Sequence, residues 1–305
     1  MIANARRAQD APIGIVGVRG LGERALNRLA EEFCFDAIAA AFPERGDTKL
    51  LKHIAWYGSV LADIMNTSNI PSHVQSLESG ALFNLAVAVF DSCVDVNNET
   101  ARSLAVALSP QNLSARLRNP GRTDLAIRSD SADADLVCQL FDRVLSTVGQ
   151  RFVKNQEIMS MLENLLSRMY YSETSPGSCR TDAKALPVCF ICMLADGPRA
   201  LSRERFHVAL GNFIALLDDW QDLADDLRNG NANSFVYSYD RRLWRAAIYV
   251  TSAAVGAIAD GLTAGSRMRW QLRSSLQNVL DSAQLLETSE RSALLWTLGH
   301  LLGVA

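Results

Sequence analysis

Apolar residues recur at every third and fourth position in most windows of this chain, the rhythm of helices that bury one face. Alternating Val/Ile/Thr runs closed by Asn-Gly or Asp-Gly hairpin turns are missing. The period therefore predicts an all-α protein, with helices near 21–42, 48–66, 72–108, 132–171, 182–195, 199–228, 238–262, 267–283 and 287–302. Proline placement supports this, because every proline lies between Pro12 and Pro198 and none breaks a helix in the C-terminal third. Residues 109–131 interrupt the rhythm. Turn formers alternate there with Arg116, Arg118, Arg122 and Arg128, which predicts a mobile, positively charged loop, read either as a solvated connection or as a lid over an anionic ligand. No repeat, low-complexity tract or composition shift marks a second domain. The expected organisation is a flexible N-terminal segment over 1–20 followed by one α-helical domain over 21–305, a single-domain bundle.

Composition narrows the class. With 305 residues, 49% hydrophobic and 21% charged, the chain can bury a large core, and disorder is excluded as a description of the whole. Its 30 Lys+Arg against 33 Asp+Glu leave a net charge of -3, without the cation surplus that neutralising nucleic-acid phosphates requires, so no nucleic acid is expected as partner. Six scattered cysteines, and no apolar run after Arg6 and Arg7 to form a signal peptide, point to a reducing, cytoplasmic setting. Cys189 and Cys192 make a C-x-x-C inside an apolar helical run, with no second pair to complete a zinc site, and read as packed thiols. The near-apolar stretch Ala246 to Ala259 is interrupted by Thr251 and Ser252 and is shorter than the ~20 residues of a membrane span, so a buried helix and no integral membrane span are expected. Gly14 to Gly22 is glycine-rich but follows no strand, which argues against a nucleotide loop.

The acids are few, but two clusters sit inside apolar helical stretches. Asp91 and Asp95 are four apart, on one helix face, after a run from Leu82 to Phe90 that is almost wholly apolar. Like charges at that spacing repel by roughly 0.2–0.5 kcal/mol, so the pair calls for a cation, and a hard ion such as Mg2+ takes one or two carboxylates and completes its shell with water and substrate phosphate. The second cluster follows Phe213-Ile-Ala-Leu-Leu217. There Asp218, Asp222 and Asp225 keep a 0, 4, 7 rhythm, and Asp219, Asp222 and Asp226 a 0, 3, 7 rhythm on an overlapping face. An acidic, solvated helix end would account for one such pair. Two pairs, each after a buried-looking segment with few basic residues nearby, point instead to a shared metal–diphosphate site. A carboxylate-bridged di-iron bundle would need Glu-x-x-His motifs, which His53, His73, His207 and His300 do not supply.

On these residues the chain resembles the class I terpenoid synthase superfamily. Asp91-Ser-Cys-Val-Asp95 looks like the family's first aspartate-rich motif in its D-x-x-x-D form, and Asp218-Asp-Trp-Gln-Asp222, after Gly211 and Phe213, looks like the second, D-D-x-x-D. Asp222-Leu-Ala-Asp-Asp226 can also be parsed as D-x-x-x-D. The resemblance spans roughly residues 80 to 235. It implies a helical fold with a central substrate cavity. Asp91, Asp95, Asp218, Asp219, Asp222 and Asp226 would hold a Mg2+ cluster, three metals in the family pattern, and Lys184 and Arg228 would contact the diphosphate. Phe83, Phe90, Phe213 and Trp220 would line an apolar pocket, with core packing as the plainer role for each ring.

The departures select within the family. Only Lys49, Lys52 and His53 stand where chain-elongating synthases carry a Gly-Lys-Arg site, and Arg102 is alone after Asp95 where they carry an arginine pair. The common cyclase motifs N-D-x-x-S-x-x-x-E and a late Arg-Tyr are not found. The resemblance thus implies a divergent terpene cyclase that ionises one linear prenyl diphosphate, C15 to C20 or longer, to a hydrocarbon or alcohol plus pyrophosphate. The alternatives are a prenyltransferase of the trans-isoprenyl or squalene/phytoene kind that joins two diphosphates, and a non-catalytic helical subunit that modulates a partner synthase. A homodimer is left open.

Overall fold

The computed structural model describes residues 26–41, 48–65, 70–95, 99–174, 180–204, 207–208, 211, 214–215 and 228. These are helices and their connections, and no strand occurs among the described residues, as the 3.6-residue period requires. The helices are α1 (residues 26–32), α2 (Phe35–Ala41), α3 (Thr48–Met65), α4 (Ile70–Asp95), α5 (Glu99–Ala107), α6 (Pro110–Arg118), α7 (Ala132–Phe152), α8 (Gln156–Thr174) and α9 (Arg180–Asp196). A 3-10 helix, Gly197–Arg203, continues from α9. The expected segments 1–20, 238–262, 267–283 and 287–302, the glycine-rich run 14–22 and the stretch 246–259 lie outside the described residues.

Three expected helices are broken. The one expected over 21–42 turns at Phe33–Cys34, where Cys34 takes a left-handed φ of 48° and its carbonyl accepts from Ala37 and Ile38 to start α2. That expected over 72–108 ends at Asp95 and restarts at Glu99, an acid in the first turn of α5 where the helix dipole favours it. The long element expected over 132–171 is two helices with a turn at Val153–Asn155, whose Asn155 side chain caps α8 by accepting from the Ile158 amide. Periodicity runs through such breaks because the apolar faces on either side pack on the same core.

The expected loop over 109–131 is corrected for its first half, where residues 110–118 form α6; 119–131 is an irregular connection. Pro110 begins α6 at the position where its missing N–H costs nothing, and a 3-10 turn follows at Thr123–Leu125. Each arginine is tied to a carboxylate of the protein. Buried Arg116 pairs with Asp142 at 2.7 Å and donates to the carbonyls of Pro120 and Arg122, while Asp142 accepts the Ile127 amide. Arg118 pairs with Glu163, Arg122 with Asp124 and Arg128 with Asp135. Of these pairs, only Arg116–Asp142 has a buried guanidinium; Arg122 and Arg128 stay exposed.

The core is organised around α4, which packs against α3, α5, α7 and α9. Its residues from Ala81 to Val87 are buried without a break, the pattern of a helix surrounded on all sides. Phe83 stacks on Phe190 of α9 with ring centroids 4.0 Å apart, and Phe141 of α7 meets both Phe83 and Phe90 edge-on. Two stretches, Val74–Val94 and Lys184–Arg203, are long and apolar enough to cross a membrane, yet 72% and 78% of each is buried inside the protein, the environment of a core helix.

Helices α4 and α9 run antiparallel. Phe83 meets Phe190, and seven residues away on each helix Ser76 and Gly197 meet at a common neighbour, Arg151. The direction is backward along α4 and forward along α9, which fixes the relative polarity of the two elements.

Candidate functional site

Asp91 and Asp95 occupy the last two turns of α4, at the point where the helix leaves the core, and Asp91 is partly exposed. No basic residue lies in the last turn. Carboxylates at a helix C-terminus face the negative end of the macrodipole, an unfavourable placement of roughly 0.3–1 kcal/mol each at exposed sites. Their mutual spacing of one turn adds the like-charge term. Carboxylate oxygens one helical turn apart are donors of the kind a hard divalent ion takes.

Polarity brings Lys184 to the same end. Lys184 precedes Phe190 by six residues on α9 and Asp91 follows Phe83 by eight on α4, so both lie on the same side of the Phe83–Phe190 contact. At 1.5 Å per residue the two displacements are about 9 and about 12 Å along antiparallel axes. Lys184 is half-buried. Pro187, inside α9, removes the hydrogen bond to the carbonyl four residues back and loosens the turn that carries Lys184.

The chain then returns along α9. His207 Nε2 lies 3.0 Å from Asp196 Oδ2, and the His207 carbonyl accepts from the Cys189 thiol at 3.2 Å. A Cβ built on Gly211 would stand 2.5 Å from Cys189 Sγ and 2.6 Å from the Ala185 carbonyl oxygen. Only glycine lets the backbone approach so closely. The contacts advance from Asp196 to Ala185 as the chain goes from 207 to 211, so this segment runs antiparallel to α9, toward the Lys184 end. Ile214 and Ala215 are buried beyond it.

Asp218, Asp219, Asp222, Asp226, Phe213 and Trp220 lie outside the described residues. Arg228 is exposed and helical. Phe83 and Phe90 are both fully buried in the aromatic core at the foot of the Asp91 end. A small cleft lined by Ile38, Ala39, Leu51, Ile54, Ala88, Val89 and Ser92 opens beside the Asp91 turn, with room for about one water. Among the described residues no group of three or more His, Cys, Asp or Glu side chains is placed to hold a metal.

One polar cluster had no counterpart in the sequence reading. Asp196, at the end of α9, has no exposed side-chain surface and pairs with Arg199 and Arg203 at 3.0 Å and with His207. Burial pushes its pKa up, but the His207 hydrogen bond and the Arg203 charge outweigh that and hold it below the ordinary carboxylate value. The i, i+3 spacing of Asp196 and Arg199 was visible in the sequence. The closure by His207, eleven residues on, depends on the chain reversing after the 3-10 helix. Cys189 and Cys192 are buried in the helical core as expected, and burial raises the Cys192 pKa well above its ordinary value.

Compared with protein-family models, curated proteins and solved structures, the chain shows no match.

Proposed function

We propose that the protein is a Mg2+-dependent class I terpene synthase of divergent type, with the corresponding helical fold. It acts on one linear prenyl diphosphate, C15 to C20 or longer. The observation that carries this reading is the convergence at one end of the core. Asp91 and Asp95 end α4 there, the antiparallel register of α9 brings Lys184 to the same end, and the chain heads toward it as it approaches the second acidic cluster.

In this reading Asp91 and Asp95, with Asp218, Asp219, Asp222 and Asp226, hold the metal ions. When bound, Mg2+ supplies charge stabilisation to the diphosphate oxygens as the C–O bond breaks. Lys184 and Arg228 add cationic hydrogen bonds to the same oxygens. The bond breaks heterolytically, its electron pair leaving with pyrophosphate. The carbocation that remains closes on its own double bonds and then loses a proton to give a hydrocarbon, or takes up water to give an alcohol. Apolar side chains, including Phe213 and Trp220, keep bulk water from the cation, and aromatic faces stabilise it by up to ~2 kcal/mol.

Incubation of the purified chain and Mg2+ with prenyl diphosphates of graded length, with and without isopentenyl diphosphate, tests this. A hydrocarbon or alcohol from a single substrate is expected. Longer diphosphates formed only with isopentenyl diphosphate would establish a prenyltransferase instead. No turnover of any substrate would leave the non-catalytic subunit.

A further inference from the structure

Proline inside a helix leaves one carbonyl without its amide donor and weakens the turn before it. Pro187 does this in α9, at the turn that carries Lys184 and Ala185. A restraint on that turn comes from outside the helix. Gly211 approaches so closely that a Cβ on it would stand 2.6 Å from the Ala185 carbonyl oxygen and 2.5 Å from Cys189 Sγ. Ala185 and Cys189 are one turn apart and both buried, so Gly211 spans the positions on either side of Pro187. Two polar contacts set the register of this approach. His207, fully buried and one helical turn before Gly211, places Nε2 3.0 Å from Asp196 Oδ2, and its carbonyl accepts from the Cys189 thiol at 3.2 Å. Asp196 is also held by Arg199 and Arg203 at 3.0 Å, so this anchor at the end of α9 does not depend on His207 alone.

We propose that Gly211, kept in register by His207, is a positioning residue for Lys184. The role rests on the reading that Lys184 meets the diphosphate. Lys184 adjoins Ala185, so a shift of the Ala185 carbonyl carries the Lys184 backbone with it. A side chain at 211 could not be accommodated by turning a neighbouring side chain alone, because one of the atoms it meets is backbone. Either the returning chain or the Lys184 turn has to move, and the turn before Pro187 is the one that lacks a helix hydrogen bond. The half-buried stem of Lys184 has fewer rotamers with which to make up such a shift than an exposed lysine has. The charge would remain while its aim at an oxyanion is lost.

The test is calorimetric titration of the full chain, in Mg2+, with inorganic pyrophosphate. Lys184→Gln is expected to weaken wild-type binding roughly tenfold. Gly211→Ala is expected to weaken it by a factor approaching that, yet by less than about twofold in the Lys184→Gln background, the non-additivity of residues that act through one another. Gly149→Ala controls for crowding in general. Its Cβ would stand 2.2 Å from the Leu117 carbonyl oxygen, between α6 and α7, and its affinity is expected to equal the wild type's. His207→Leu probes the register without crowding the turn. It is expected to weaken binding only where Lys184 is present, and His207→Gln, which keeps an N–H for Asp196, to restore it. Binding that depends on Lys184 but is unchanged in His207→Leu, or in folded Gly211→Ala, would overturn the positioning role and leave the diphosphate reading in place. Equal losses with and without Lys184 would do the same. Wild-type binding indifferent to Lys184→Gln, or no binding at all, would overturn both.

Discussion

Gly58 and Gly80 face each other where α3 crosses α4, so closely that a Cβ built on Gly58 would stand 2.2 Å from the Gly80 carbonyl oxygen. In the other direction, a Cβ on Gly80 would lie 2.6 Å from the Gly58 carbonyl oxygen. Backbone meets backbone, and Asn84 uses the proximity to donate from Nδ2 to the Ile54 carbonyl at 2.7 Å. Polar side chains inside an apolar helix survive only with such a partner.

Alanine at either glycine has to push the helices apart. The helix-propensity gain of about 1 kcal/mol is outweighed by overpacking and by strain on the Asn84 bond, so Gly58→Ala and Gly80→Ala are expected to destabilise by about 1–3 kcal/mol net. Urea unfolding measures this. Gly121→Ala, where nothing lies within 4 Å of the added methyl, is the control and is expected to stay within about 0.5 kcal/mol of wild type.

Asp196→Asn removes one charge from a cluster with three basic partners. Breaking a buried ion pair costs ~3–5 kcal/mol, and the lower end applies here because Arg199 and Arg203 keep access to water. The pH dependence follows from the depressed pKa. A carboxylate held below its ordinary 3.8 contributes stability that is present above that value and is lost as pH falls through the folded pKa. The gap between wild type and Asp196→Asn is therefore expected to be constant at neutral pH and to close only below about pH 4. A gap that closed near neutrality would show that another group carries it.

How far the fold could be read from the sequence depends on range. The helical class, the bounds of α3 and α9 to within two residues and the buried thiols of Cys189 and Cys192 follow from local period and composition. The breaks at Cys34 and at Val153–Asn155 do not, because the apolar rhythm continues across them. The helix at 110–118 was missed for a different reason. Arg116 and Arg118 look surplus in sequence, yet their partners Asp142 and Glu163 stand 26 and 45 residues away, a pairing that exists only once α6 packs on α7 and α8. At the candidate site the Asp91–Asp95 pair is legible as one helical turn, whereas the placement of Lys184 requires the polarity of α9.

The thiols offer a chemical check on packing. Burial, with the Asp135 charge beside it, pushes the Cys138 thiol up to about 12, and burial raises Cys192 as well. Cys34, in the turn before α2, is exposed. Iodoacetamide at pH 8 is expected to label Cys34 rapidly, and Cys138 and Cys192 only after unfolding, read by peptide mass mapping. Comparable rates at Cys138 and Cys34 in the native protein would contradict the packing of α7.

The metal assignment makes a prediction that does not depend on knowing the substrate. An ion that binds the folded chain alone stabilises it by RT ln(1 + [L]/Kd), about 1.4 kcal/mol at ten times Kd. Mg2+ is expected to raise the wild-type unfolding midpoint in a saturable way that KCl at equal ionic strength does not reproduce. Asp91→Asn removes a first-motif donor and Asp219→Asn a second-motif donor, so each is expected to lose most of this shift and to abolish turnover while the helical circular dichroism is kept. Electrostatic relief alone, from two carboxylates at the negative end of α4, would respond to any salt. Saturable Mg2+ stabilisation lost in Asp91→Asn but kept in Asp219→Asn would mean that the α4 pair binds the ion alone. Full turnover in both variants would rule out the shared site.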